Sequence, residues 1–173
     1  MGTGLEMTAL TLAEKRRLLE RLLRRDAGES RLCFAPSAGQ RALWLIHQLA
    51  PECPAYNMNL AARIQQGLDV PALGRTFQAL VDRHAALRTT YSTRGGQLVQ
   101  IVHERSKAHF EVVEAAGWTL GALNSRMLAL ANQRFDLENG PLCRVHLFDR
   151  GGAGHYLLIT VHHIAGDGVS IQI

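Results

Sequence analysis

Near its C-terminal end the sequence reads VHHIAGDGVSIQI, which sets two adjacent histidines, His162 and His163, ahead of a Gly-Asp-Gly turn at 166–168. Imidazole titrates close to neutrality, so it can accept or hold the proton of an incoming nucleophile. Side chains alternate across a strand. In a strand running up to the doublet, His162 shares a face with Tyr156, Leu158 and Thr160, and His163 shares the other with Leu157, Ile159 and Val161. Two ligands of one ion must converge, so opposite faces argue against metal binding by the doublet. They suit a division of labour, with one ring projecting into a cavity and the other held in the fold. A lone histidine at a strand end is usually a satisfied core residue, whereas imidazole, turn and carboxylate arriving as a unit is more specific. Gly166 and Gly168 permit a tight turn, and Asp167 can fold back beneath the histidine or meet a buried arginine. Ser170 follows the turn and GxSxG is absent, so the pattern favours direct acyl transfer over a covalent intermediate.

The elements that must position these residues follow from periodicity. Pro36-Ser37 starts a helix to about Ala50, with Ser37 as N-cap and Pro51 as stop. Residues 59–65 read as a strand. Val70-Pro71 opens a helix to about His84, with Leu73, Phe77, Leu80 and Val81 on one stripe. RTTYST and QLVQIVH around Arg94-Gly95-Gly96 carry a hairpin signal. HFEVVEA is a further strand, a helix covers roughly 119–134, and CRVHLFDR with HYLLITVHH forms a last antiparallel pair. The pattern predicts an α/β fold, a strand-rich sheet with helices on it.

Ahead of this lies TLAEKRRLLERLLRRD, with Thr11 and Glu14 at capping-box spacing and leucines largely on one face. Residues 1–30 are therefore expected to form a linker helix on the following domain, or a docking helix for a partner chain. The net charge of +4 is scattered apart from this cluster, which disfavours nucleic-acid binding. No apolar run reaches the length of a membrane span. Cys33, Cys53 and Cys143 are an odd number with no CxxC pair, so neither a disulfide framework nor a zinc site is expected, and a reducing cytoplasm is the default.

HHIAGDG at 162–168 resembles the HHxxxDG core of the condensation domains of nonribosomal peptide synthetases, in the chloramphenicol-acetyltransferase-like superfamily. SAGQRALWL at 37–45 is similar to that family's first motif, SxAQxRLWxL, and DRHAALRTTY at 82–91 to its second, RHExLRTxF. FDLENGPLCRVHLF at 135–148 is similar to the strand region before its catalytic turn. Three motifs in order cover about 31–173. Ala85 stands where the second motif usually has glutamate, and Gly39 where the first often has alanine; both bear on packing more than on chemistry. Cyclization members carry aspartates at the positions of His162 and His163, so heterocyclization is disfavoured, while epimerizing members share the motif.

The resemblance implies a chloramphenicol-acetyltransferase-like lobe with a mixed, mainly antiparallel sheet and helices packed on it. Residues 31–173 would be the N-terminal lobe of a two-lobed domain whose C-terminal lobe lies beyond Ile173. His163 becomes the catalytic position, acting on the amine of an acceptor aminoacyl thioester as it attacks a donor thioester. The backbone N–H of Gly168 is the candidate oxyanion donor. His162 is assigned a structural role, as are Trp44 and Tyr91, and Asp167 is expected to pair with Arg83 or, second, Arg88. Breaking such a buried pair would cost about 3–5 kcal/mol. No cofactor or metal is expected on the domain itself, since substrates arrive on the 4'-phosphopantetheine of carrier proteins. The implied partners are donor and acceptor carrier proteins, the second lobe and neighbouring synthetase domains, with no nucleic acid and no membrane. A lobe alone is expected to be inactive. Two other readings are a non-catalytic carrier-protein docking module and a free-standing ester- or amide-forming acyltransferase.

Overall fold

A computed structural model of the chain describes Thr11 and residues 32–65, 67–168 and 170. The helix expected within residues 1–30 lies outside the described residues. Two compact units divide the chain, Met1–Arg31 and Leu32–Ile173.

The order of elements follows the periodicity of the sequence. Strand β1 (Leu32–Phe34) leads into helix α1 (Ala38–Leu49), which opens on a full capping box. Ser37 Oγ accepts from the backbone N–H of Gln40, and the Gln40 side chain accepts from the backbone N–H of Ser37. Strand β2 (Asn57–Ile64) precedes helix α2 (Val70–Arg83), capped by Asp69 with proline in its first turn. A 3-10 turn at Ala85–Arg88 enters the hairpin of β3 (Thr89–Arg94) and β4 (Gln97–Val102). Gly95 and Gly96 both have positive φ, 57° and 79°, as a two-residue hairpin turn requires. Then come β5 (His109–Glu114), α3 (Leu120–Ala131), β6 (Cys143–Asp149) and β7 (His155–His162).

These strands form two sheets instead of one. β1, β4 and β3 make a three-stranded antiparallel sheet; the other runs β2-β7-β6-β5. In the second sheet β5 is parallel to β6, and the remaining pairs are antiparallel. Parallel neighbours need a crossover of a dozen residues or more, and α3 supplies it. The mixed, mainly antiparallel character was expected; the short strand β1 and the choice of β5 and β6 as the parallel pair were not.

The four-stranded sheet is covered on both faces. On one, Leu123, Met127, Leu130 and Ala131 of α3 pack against Phe148 of β6 and Leu158 of β7. On the other, Phe77 of α2 stacks on Phe110 of β5 with ring centroids 6.0 Å apart. The helix packs close at Gly74, where a Cβ would stand 3.4 Å from the Phe110 ring, in ordinary contact. A second buried cluster joins Trp44, Tyr91, Phe135, Leu137, Leu142 and Ile164 beside the end of β7.

Candidate active site

The doublet sits where β7 ends, and the two rings are treated oppositely. Burial along β7 falls on Leu158, Thr160 and His162, the face expected for His162. His162 is 5% exposed. Its Nδ1 accepts from the backbone N–H of Ile164 at 3.2 Å, which leaves the proton of the neutral ring on Nε2. Phe135 meets it edge-on at 5.8 Å and His47 at 6.3 Å. Burial first, then the neighbouring His47 and His163, push its pKa down to about 4. His162 is thus a neutral core residue at physiological pH. His163 lies one residue past the strand and is exposed. Its backbone N–H donates to the carbonyl of Tyr56 at 2.9 Å, which fixes the main chain and leaves the imidazole at the surface.

The three sequence motifs meet at this point. Tyr91, from the second motif, donates its hydroxyl to the carbonyl of Ile164 in the third, at 3.1 Å. The same hydroxyl accepts from Nε2 of Gln40 in the first motif, at 2.8 Å. Gln40 therefore caps α1 with its oxygen and holds Tyr91 with its nitrogen. Trp44 and Tyr91, 8% and 2% exposed, are core residues as expected. Burial raises the Tyr91 phenol to about 12, so it stays a donor at any working pH.

The Gly-Asp-Gly turn departs from expectation. Asp167 is exposed, and its Oδ1 accepts from both the backbone N–H and the hydroxyl of Ser170, at 2.9 and 2.8 Å. Among the described residues no ion pair joins it to Arg83 or Arg88. Arg88 instead donates Nη1 to the carbonyls of His103 and Glu104, and Arg83 is exposed in the last turn of α2. A capping contact three residues away forms with almost no loss of chain entropy, whereas a distant guanidinium must be brought in and desolvated. The cost of a broken buried pair therefore does not apply to Asp167. Gly168 is exposed with nothing within 4 Å of where a Cβ would stand, while a Cβ on Gly166 would come 3.2 Å from that of Ser170. Neither glycine has positive φ, so close approach at Gly166, not backbone conformation, is what favours glycine in the turn.

Residues 34–173 match the family model of the condensation domain. The chain belongs to the condensation-domain family.

Its relatives are synthetases far longer than itself. This condensation-domain chain is 36% identical over 137 residues to the isonitrile lipopeptide synthase of Mycobacterium tuberculosis, 78% of the chain but 6% of that protein. It is 34% identical over 145 residues to tyrocidine synthase 2 of Brevibacillus parabrevis, 84% of the chain and 4% of that protein. Among solved structures, a four-domain nonribosomal peptide synthetase bound to AMP and glycine superposes with a TM-score of 0.73 at 26% identity, over 83% of this chain and 11% of that one. The starter condensation domain of rhizomide synthetase RzmA also gives 0.73, at 25% identity, over 82% of this chain and 35% of that one.

An apolar cavity of about 300 Å³ opens on the other face of β7. Ile159 and Val161 line it with Met58 and Leu60 of β2, Phe77 and Leu80 of α2, and Gly166 and Ser170 of the turn. His163, expected to project into a cavity, does not line it. The strand alternation that separates the two histidines was legible in the sequence. The roles of Gln40 and Ile164 were missed, because a side-chain bond to a carbonyl has no sequence signal beyond the motifs that bring the partners together.

Proposed function

We propose that this chain provides the histidine-bearing wall of an amide-forming condensation site. The substrates would be a donor acyl thioester and the amine of an acceptor aminoacyl thioester, each carried on the phosphopantetheine of a carrier protein. The observation that carries this reading is the inequality of the doublet: His162 is buried, neutral and bonded, while His163 is exposed at the end of an anchored backbone. A docking module would have no reason to hold one imidazole out on so fixed a main chain. His163 orients the acceptor amine or takes its proton as the amine nitrogen attacks the donor carbonyl. The C–N bond forms, the oxyanion collapses, and the donor's thiolate leaves and is reprotonated. The N–H of Gly168, in the exposed turn, is the oxyanion donor in this scheme. Asp167 shapes that turn through Ser170.

Residues 32–173 act in this proposal as one lobe of the domain, with a second lobe closing the site. The chain covers 35% of the solved rhizomide condensation-domain chain, which supports that division. Among the described residues no helix is long and apolar enough to cross a membrane, and we place the protein in the cytoplasm with its carrier proteins.

The test is single-turnover condensation by the synthetase that carries this chain. His163→Ala is expected to lower amide formation about 10²–10⁴-fold with an unchanged melting temperature. His162→Ala is expected to act through stability, by emptying a packed site and orphaning the Ile164 N–H. A stable, inactive His162→Ala beside an active His163→Ala would overturn the assignment.

A further inference from the structure

On the α3-covered face of the four-stranded sheet, away from the doublet, three potential metal ligands come together. His109 and Glu111 are two residues apart on β5 and therefore share a face. The parallel register sets Glu111 opposite His146 of β6. One ligand atom from each of the three lies within 4.8 Å of the others. Nε2 of His146 stands 3.6 Å from a carboxylate oxygen of Glu111, and the two imidazole centroids are 5.3 Å apart.

The contacts inside this group do not satisfy it. A separation of 3.6 Å is too long for a hydrogen bond. His146 is 1% exposed, so its ring is shut off from water. Nδ1 of His109 is buried with no hydrogen-bond partner among the described residues. Buried polar atoms are almost always partnered, so such a group marks a place that a ligand completes. Two donors on one tetrahedral zinc ion, with bonds of about 2.0–2.2 Å, stand about 3.4 Å apart. The His146–Glu111 spacing is close to that, and small rotations bring in His109.

We propose that His109, Glu111 and His146 form a three-ligand site for a divalent transition-metal cation of the zinc type, tying edge strand β5 to β6. Two imidazoles and one carboxylate suit zinc, whereas magnesium and calcium require mostly oxygen. Arg126 and Arg144 lie close enough to oppose positive charge at His146, so imidazole–metal bonding must outweigh them and a hard cation gains too little. The Glu111 side chain is 53% exposed, which gives the ion an entry path and leaves a coordination position open to water. The site is separate from the condensation chemistry and holds whether or not His163 is catalytic.

The experiment measures Zn²⁺ and Co²⁺ binding to the untagged chain after its three cysteines are blocked by alkylation. The expected result is one saturable Zn²⁺ site, a Co²⁺ absorption spectrum with nitrogen ligation, and a melting temperature that rises with Zn²⁺ but not with Mg²⁺. Glu111→Gln and His109→Asn, both outside the fully buried core, should each weaken binding by more than about tenfold while the metal-free melting temperature stays close to that of the wild type. Zn²⁺ affinity unchanged in both variants, or no saturable Zn²⁺ binding to the wild-type chain, overturns the proposal.

Discussion

His162 shows how burial converts a titratable group into a condition on folding. In the fold its pKa is pushed down to about 4, whereas an unfolded imidazole titrates near ~6.5. Between these values the unfolded chain takes up a proton that the folded chain refuses. Stability is therefore complete above about pH 6.5 and falls as the pH drops toward 4. The gap amounts to about 3 kcal/mol. Urea unfolding across this window should show that loss in the wild type and a smaller one in His162→Gln, which cannot ionise. His47 and His146, also lowered by burial, remain in the variant and account for part of the residual slope. Tyr91 gives a second test at this scale. Tyr91→Phe removes the donor to Ile164 and the acceptor of Gln40, at a cost of about 1–3 kcal/mol. Denaturant midpoints check the stability, and condensation rates should fall as well because the turn after His163 loses its tie.

At the scale of elements, α1 is the first link from sequence to site. Its capping box fixes where the helix begins, and Gln40 within that box reaches Tyr91. Ser37→Ala should cost about 1 kcal/mol, measured by equilibrium unfolding. A larger loss would mean that Gln40 also leaves Tyr91. Strand β7 is the second link. Its alternation buries His162 with Leu158 and Thr160, while the backbone bond from His163 to Tyr56 holds the following residue at the surface. A one-residue slip would exchange the two rings, and the pairing of β7 with β2 along its whole length and with β6 up to Val161 is what prevents it.

In the molecule as a whole, the groups proposed for catalysis are open to water. His163, Asp167 and Gly168 are all exposed. Acyl transfer between thioester and amine needs water kept from the donor and the charges held in a low-dielectric site. The chain on its own, incubated with loaded donor and acceptor carrier proteins, is therefore expected to give no amide product. Mass spectrometry of the carrier-bound species reads this directly. Turnover near that of the complete synthetase would contradict the need for a second wall.

Local sequence determined the parts of this protein that depend on neighbours along the chain. Ser37 with Gln40 marked a helix start, Gly95-Gly96 marked a hairpin, and period-two alternation separated His162 from His163 before any contact was known. The ordered motifs likewise pointed to the family. Contacts between distant segments were decided by the tertiary structure alone. Parallel β5 and β6 meet because α3 carries the chain back across the sheet, and only their register brings Glu111 to His146. Arg83 and, second, Arg88 looked like partners for Asp167 because of opposite charge, but Arg83 is exposed, Arg88 donates to two carbonyls, and Asp167 bonds Ser170. Charge says that two groups could attract. Burial, register and competing local bonds decide whether they meet.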